Sequence, residues 1–144
     1  MTYIEAAVIK MMTEDAIHTF PDECCGFLFG KETNEERVIL QTAAVNNAKE
    51  GDKRRRFEIK PKDYLEAERY ADEQGWLLLG VYHSHPNHPA IPSEHDRLAA
   101  QPYFSYIILS VINKEYAGLR SWRLNDEQQF EEEKIYDHQL TLKK

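Results

Sequence analysis

The chain has 144 residues, 42% of them hydrophobic and 30% charged, which is the composition of one ordinary globular domain over residues 1–144. The formal net charge of −7 argues against general binding to nucleic acid or to an anionic membrane, because both require basic residues that neutralise phosphates. No apolar run is long enough to cross a bilayer and the first residues lack the pattern of a secretion signal, so we expect a cytoplasmic protein.

The first half of the chain predicts two helices and the strands between them. In chain order these are a helix over residues 4–20, two strands over residues 24–30 and 38–45 that are joined by a hairpin, a brief strand over residues 56–59 and a second helix over residues 61–74. The first helix is predicted from apolar residues at spacings of three and four and ends at Pro21. The second begins at Pro61 and stops at Gly75, the usual positions of proline and glycine at helix ends.

The second half begins with a continuous apolar run over residues 76–82, as expected for a central strand covered on both faces. The pattern then predicts a helix over residues 93–101 and another long apolar strand over residues 103–112. Two antiparallel outer strands are predicted over residues 117–124 and 129–136. Alternating helices and strands of this kind predict an α/β fold, a single-domain mixed β-sheet with helices packed on its faces.

A histidine pair, His83 and His85, directly follows the predicted central strand. On an extended backbone, side chains two residues apart project to the same side, so both imidazoles can share one cation. Asp96 can add an oxygen ligand, which leaves the fourth tetrahedral position open, as catalytic zinc requires. Peptide cleavage also needs a base outside the ligand set; Glu23 is a candidate, although spacing alone does not select it from 25 acidic residues.

Two short motifs together resemble the JAMM (MPN-plus) metallopeptidases. His-Ser-His-Pro at residues 83–86 precedes Ser-Glu-His-Asp at residues 93–96, with seven residues between His85 and Ser93. The segments at residues 21–26 and 56–59 are also similar to segments of that family, so the resemblance covers nearly the whole chain. It implies that His83, His85 and Asp96 bind Zn²⁺. It also implies that Glu23 is the general acid/base and that Ser93 hydrogen-bonds the tetrahedral oxyanion.

The same resemblance implies a fold and a substrate class. Family members share a cytidine-deaminase-like α/β fold, and many cut peptide or isopeptide bonds after the C-terminal Gly-Gly of ubiquitin-like proteins. In size the chain is similar to the small stand-alone prokaryotic members, some of which trim sulfur carriers, including cysteine adducts in cysteine biosynthesis. We therefore expect hydrolysis of an amide bond at the tail of a ubiquitin-like or sulfur-carrier protein, with the tail extended beside a strand edge.

Alternative interpretations remain at this stage. The chain could be a noncatalytic MPN-type scaffold, or a RadC-like protein of less certain activity. Ser93 and Asp96 also fit a helix N-cap with a carboxylate at its third position, which can coexist with a metal site. A zinc deaminase site is disfavoured, because the H-x-E and P-C-x-x-C ligand sequences are missing.

Several other polar residues have plain interpretations. The basic run at residues 53–56 predicts a solvated loop, with a docking patch for an acidic partner as the alternative. His88 and His95 are expected to be exposed loop residues rather than ligands. Cys24 and Cys25 are adjacent, which is poor geometry for a structural disulfide, and the second is expected in the core.

Overall fold

A computed structural model of the protein describes residues 1–137, so the last seven residues of the predicted domain lie outside the described part. Its strands are β1 (Thr2–Ile4), β2 (Cys25–Glu32), β3 (Arg37–Val45), β4 (Leu77–Pro86), β5 (Ser105–Ile112), β6 (Glu115–Leu124), β7 (Phe130–Glu133) and β8 (Ile135–Asp137). The helices are α1 (Ala6–Thr19), α2 (Pro61–Gln74) and α3 (Glu94–Ala99). Within residues 1–137, none of the helices has the length and apolar character that crossing a bilayer requires.

All described strands belong to one mixed sheet in the order β7-β6-β5-β4-β2-β3-β1-β8. The pairs β4/β5, β1/β3 and β1/β8 are parallel, and the other neighbouring pairs are antiparallel. The helix α1 packs on one face against a core that includes Leu28, Leu79 and Ile107, whereas α2 packs on the other face against Phe27 and Val81. The predicted α/β fold with helices on both faces of a mixed sheet is confirmed.

The sheet curls until its two ends meet. The strands β7 and β8 lie at opposite ends of the strand order, yet only Lys134 separates them in the chain. The Cα atoms of residues i and i+2 are at most about 7 Å apart, so the two edges of the sheet must approach each other here. Thr2 Oγ1 of β1 accordingly donates to Glu133 Oε2 of β7 at 2.9 Å. The prediction of one outer strand over residues 129–136 is therefore wrong, because its two halves pair with different strands.

The N-terminal prediction is also wrong in part. Residues 2–4 form a short strand parallel to β3 instead of the first turn of the helix. The Glu5 N–H continues this pairing by donating to the Ile39 carbonyl at 3.1 Å, and α1 then begins at Ala6. The spacing of three and four does hold inside the helix, whose buried residues are Val8, Met12 and Ala16. Pairing with a distant strand, not local periodicity, decides the conformation of these first residues.

The helix α2 and the strand β4 place the histidines. The predicted helix over residues 61–74 is confirmed, and Gly75 ends it in the left-handed conformation with φ 72°. The central strand is confirmed as well, but it continues to Pro86 instead of ending at residue 82. It is longer because β5 runs parallel to it up to the pair Pro86↔Val111. Both histidines therefore lie inside a paired strand and not in the loop that follows.

Two further predicted elements differ from the structure. Residues 56–59 form no strand; Glu58 is held by isolated bonds, from Ala48 N–H to its carbonyl at 2.8 Å and from its N–H to Asn47 Oδ1 at 3.1 Å. The helix α3 ends at Ala99 instead of residue 101, and Ala100 is already extended. Pro102 accounts for part of this difference, because proline disfavours the helical conformation in the residue before it, Gln101.

Candidate metal centre and active site

Strand pairing at the carboxyl end of β4 fixes the histidine pair. His83 lies between Cys25 of β2 and Ile108 of β5, and His85 lies beside Ser110 of β5. Both side chains are buried, with 1% and 8% of their residue surfaces exposed. As the alternation of an extended strand predicts, the two rings lie on the same face of the sheet, with centroids 5.0 Å apart.

Three donor atoms converge on one point. The Nε2 atoms of His83 and His85 are 3.2 Å apart, and Asp96 Oδ2 lies 3.3 Å from the first and 3.2 Å from the second. Zinc bonds of about 2.0–2.1 Å in a tetrahedral arrangement place neighbouring donor atoms roughly 3.3 Å apart. The spacing and the chemistry of this set, hereafter the His-His-Asp triad, therefore fit a tetrahedral metal ion with one position left for a further ligand.

Neighbouring groups orient the two imidazoles. His85 Nδ1 lies 2.9 Å from the Pro89 carbonyl oxygen, which can only accept, so Nδ1 carries the proton and Nε2 presents its lone pair to the triad. His83 stacks on Phe57 with ring centroids 4.4 Å apart. Burial lowers the pKa of His83 against the opposing effect of Asp96 and thus favours the neutral imidazole that a metal requires.

Asp96 is held in its ionised form. Burial by itself raises the pKa of this carboxyl, but His83, His85 and the Ser93 N–H outweigh it, and the pKa lies well below its usual range. Asp96 is the third residue of α3, and Ser93 is the N-cap of that helix. The predicted capping box is present, since Ser93 Oγ accepts from the Asp96 N–H at 3.0 Å and Asp96 Oδ2 accepts from the Ser93 N–H at 2.9 Å.

Glu23 is a buried carboxyl group beside the triad. Only 3% of the residue is exposed, and burial, reinforced by Asp96 and Asp52, raises its pKa to about 9. Its Oε1 atom has no hydrogen-bond partner among the described residues. The residue lines an open depression of about 400 Å³ together with His85 and Ser93, here called the open cleft. At neutral pH the metal-free protein therefore holds a protonated carboxyl group next to the triad.

A family comparison places this chain among known proteins. A family model described as prokaryotic homologs of the JAB domain matches residues 5–125, which is most of the chain. The chain belongs to this JAB family. A CysO-cysteine peptidase of Mycobacterium tuberculosis is 31% identical over 126 residues, covering 85% of this chain and 82% of the relative. A desampylase of Pyrococcus furiosus is 28% identical over 129 residues, covering 90% and 82%. This JAB protein is accordingly a hydrolase of the JAB type.

Solved structures agree with the JAB fold. A protein of Desulfitobacterium hafniense, solved in solution, superposes with a TM-score of 0.81 at 29% identity, covering 94% of this chain and 91% of that one. A JAB1/MPN domain protein of Archaeoglobus fulgidus gives a TM-score of 0.61 at 18% identity, covering 95% and 96%. The second likeness supports the fold alone, and the resemblance to the JAMM/MPN family drawn from the sequence is confirmed.

One residue that holds the backbone of Glu23, Asn47, is absent from the sequence prediction. Its Nδ2 donates to the carbonyls of Glu23 and Arg56 at 3.2 and 3.0 Å, and its Oδ1 accepts from the N–H groups of Lys49 and Glu58. Asn47 therefore ties the residues 46–60 loop to the backbone of Glu23. The only sequence signal is an Asn-Asn pair in a polar segment, which indicates a loop without indicating this role.

The remaining predicted residues fall in different places around the JAB site. His88 is exposed as predicted, whereas His95 is half-buried, with Nδ1 3.0 Å from Arg56 Nη1. The basic run at residues 53–56 is exposed, and Arg55 lines the open cleft beside Glu23. Both cysteines are buried and unpaired. Burial raises the pKa of Cys25 to about 12, so it is an inert core thiol, as expected from the sequence.

Proposed function

We propose that this JAB protein is a zinc-dependent peptidase or isopeptidase that hydrolyses an amide bond at the C-terminal Gly-Gly tail of a ubiquitin-like or sulfur-carrier protein. One observation carries the proposal: three donor atoms at mutual distances of 3.2–3.3 Å lie next to a buried carboxyl group whose Oε1 atom has no hydrogen-bond partner among residues 1–137. A cytoplasmic setting and a single domain over residues 1–144 belong to the same proposal.

His83, His85 and Asp96 would hold the ion. Two neutral imidazoles and one carboxylate are the ligand types of catalytic zinc, and three protein ligands leave one position open. Zinc in such a site supplies Lewis-acid chemistry. The contact from His85 Nδ1 to Pro89 and the capping box at Asp96 hold two of the ligands in place before any metal arrives. We expect this preorganisation to favour one tight site per chain.

Glu23 would move the proton. In this role its carboxylate takes a proton from the attacking water and then delivers it to the nitrogen of the leaving amine. A cation in the triad would lower its raised pKa towards neutrality, because positive charge favours the ionised carboxylate. Burial would thus raise the pKa of Glu23 and the nearby cation would lower it, and the balance would leave a base suited to neutral pH.

Ser93 would stabilise the charge that develops on the substrate oxygen. Its Oγ already accepts from the Asp96 N–H, and among the described residues no acceptor takes the hydroxyl proton. That proton is therefore available to an oxyanion at the triad. One preorganised donor of this kind contributes roughly 10²–10³ in rate.

The substrate class follows from the cleft and from the relatives' names. The relative named CysO-cysteine peptidase acts, by its name, on a CysO-cysteine substrate. The open cleft of about 400 Å³ beside Glu23 and Ser93 can receive an extended peptide tail. A tail that ends in glycines is narrow enough for its carbonyl to approach a buried triad. We therefore favour a small Gly-Gly-tailed protein as the acyl donor.

Metal binding and cleavage distinguish an enzyme from a noncatalytic scaffold. Metal content and cleavage of a Gly-Gly-tailed carrier are measured for the wild type, for Asp96→Asn and for the exposed control Asp72→Asn. We expect about one zinc per chain and cleavage in the wild type and in the control, and loss of both in Asp96→Asn. A wild-type protein that binds no zinc and cuts no tail would support the noncatalytic scaffold instead.

A further inference from the structure

A second cavity opens on the other side of the triad. It has a volume of about 290 Å³ and touches the triad at His83 and Asp96, whereas the open cleft touches it at His85. Six aromatic and aliphatic side chains dominate its walls, and we call the cavity the aromatic pocket: Phe57, Ile59, Tyr64, Tyr106, Ile108 and Phe130. The two cavities together flank the point where a metal ion would sit.

The walls of the aromatic pocket are held by packing from different elements. Tyr106 of β5 and Phe130 of β7 form an edge-to-face pair with centroids 5.7 Å apart. Phe57 is fixed by its stack on His83. The Tyr106 hydroxyl accepts from the Gln101 N–H at 2.7 Å, so this polar atom is engaged at one edge of the pocket. Glu58, His95 and Gln101 also line the pocket, but most of the wall that an entering side chain meets is apolar, and burying its apolar surface is favourable.

The position of the pocket restricts which part of a substrate can fill it. Because His83 and Asp96 belong to both the triad and the pocket wall, an occupant must lie within one residue of the bond at the triad. On the acyl side, the proposed substrate carries glycine, which has no side chain. The residue that supplies the leaving amine is therefore the nearest one able to fill a cavity of this size.

We propose that the aromatic pocket binds an apolar side chain of the residue that supplies the leaving amine, so that the enzyme selects large apolar residues directly after the Gly-Gly tail. This inference rests on the proposed function, which fixes glycine on the acyl side. It assigns the pocket a role in specificity, separate from the metal ligands and from Glu23.

Ala99 offers a way to fill the pocket without disturbing the core. It lies at the last position of α3, is exposed and lines the pocket. Ala99→Phe places a ring where the substrate side chain would go. Its neighbour Leu98 is 72% exposed and does not line the pocket, so Leu98→Phe is the matched control for a new aromatic ring on the same turn.

The first measurement is kcat/KM of the zinc-loaded full chain on peptides of the form Gly-Gly-X. We expect values at least tenfold higher for X = Leu or Phe than for X = Gly or Asp. Ala99→Phe should remove this ratio by lowering kcat/KM for X = Leu or Phe, and Leu98→Phe should keep both the ratio and the wild-type values. Equal values for all X, or higher values for X = Gly or Asp than for X = Leu or Phe, would overturn the assignment.

A binding measurement separates the pocket from turnover. N-formyl-N-hydroxyleucine and N-formyl-N-hydroxyglycine share a metal-binding group and differ in the side chain, which both carry on the amine side of that group; calorimetry on the zinc-loaded protein gives their Kd values. We expect the leucine compound to bind at least tenfold more tightly, and Ala99→Phe to abolish the difference. If the protein cleaves no Gly-Gly peptide but keeps this ratio, the proposed function fails and the apolar pocket stands. Cleavage without any side-chain preference in either measurement overturns the pocket alone.

Discussion

Ser93 and Asp96 are joined by two reciprocal hydrogen bonds across the first turn of α3, at 3.0 Å from the Asp96 N–H to Ser93 Oγ and at 2.9 Å from the Ser93 N–H to Asp96 Oδ2. The same Oδ2 atom is the one that faces both imidazoles. A helix cap therefore orients the carboxylate of the triad, and this cap uses Ser93 Oγ only as an acceptor. The sequence leaves a helix N-cap and a metal site as two interpretations of the Ser93–Asp96 motif. In the structure the same two residues form the cap and face the histidine pair.

Ser93→Ala should separate these two roles. We expect turnover to fall by ~10²-fold, because the oxyanion donor is lost. Zinc should remain bound, since the Ser93 backbone N–H still donates to Asp96. The free energy of unfolding should fall by about 1 kcal/mol through the lost cap. Kinetics, metal content and urea unfolding check the three expectations.

The control for this change is Ser93→Thr, which keeps both the hydroxyl group and a good N-cap residue. It should retain most of the stability and a large part of the activity. Loss of zinc in Ser93→Ala would contradict the assignment, because it would make Ser93 necessary for the ligand set instead of for the oxyanion.

The metal-free protein should become less stable with rising pH because of Glu23. Its pKa in the folded state, about 9, lies above the ordinary value of 4.5, so the folded state holds this proton more tightly than the unfolded state does. The stability that it contributes is fully present below pH ~4.5 and is lost as the pH rises towards 9. Glu23→Gln, which stays neutral, should therefore be more stable than the wild type at pH 8, by about 5 kcal/mol or at least roughly 10 °C in Tm, since each pH unit above 4.5 costs the wild type about 1.4 kcal/mol.

Thermal unfolding of the chelator-treated proteins at pH 5 and pH 8 measures this effect. The exposed Glu14, 66% of whose side chain is accessible, provides the matched control Glu14→Gln. That variant should follow the wild type at both pH values. Equal Tm differences for Glu23→Gln at pH 5 and pH 8 would show that Glu23 does not titrate between them.

Asn47→Ala should impair catalysis without removing the metal. The change breaks the two bonds that tie the carbonyls of Glu23 and Arg56 together, so the base loses part of its positioning. We expect kcat to fall by about tenfold with zinc content unchanged, because a misplaced catalytic group costs rate. Asn46→Ala is the control, since its side chain is not part of this set of bonds. An unchanged kcat in Asn47→Ala would remove Asn47 from the site.

Much of the site could be predicted because its chemistry lies in one short stretch of chain. The histidine pair, Ser93 and Asp96 fall within residues 83–96, and strand alternation alone puts the two imidazoles on one side. The helix α2 could be predicted for a similar reason, since proline and glycine mark its two ends locally. That these residues bind zinc stays a prediction.

The features that could not be predicted from the sequence depend on contacts between segments that are far apart in the chain. Residues 2–4 become a strand only because β3 is available beside them, and the split between β7 and β8 exists only because the curled sheet brings its two edges together. The aromatic pocket likewise combines side chains from the loop before α2, from α2 and from β5 and β7, which no local spacing connects. Glu23 was selected by resemblance, and its burial beside the triad is a physical reason that the sequence could not supply.

The most direct test of the central claim is the behaviour of Glu23→Gln with zinc present. Zinc content is measured together with cleavage of a Gly-Gly-tailed carrier protein, for the wild type, for Glu23→Gln and for Glu14→Gln. We predict about one zinc per chain in all three proteins, with cleavage reduced at least 10³-fold in Glu23→Gln alone. Wild-type rates in Glu23→Gln, or a wild-type protein that holds zinc and cleaves no tail, would contradict the account.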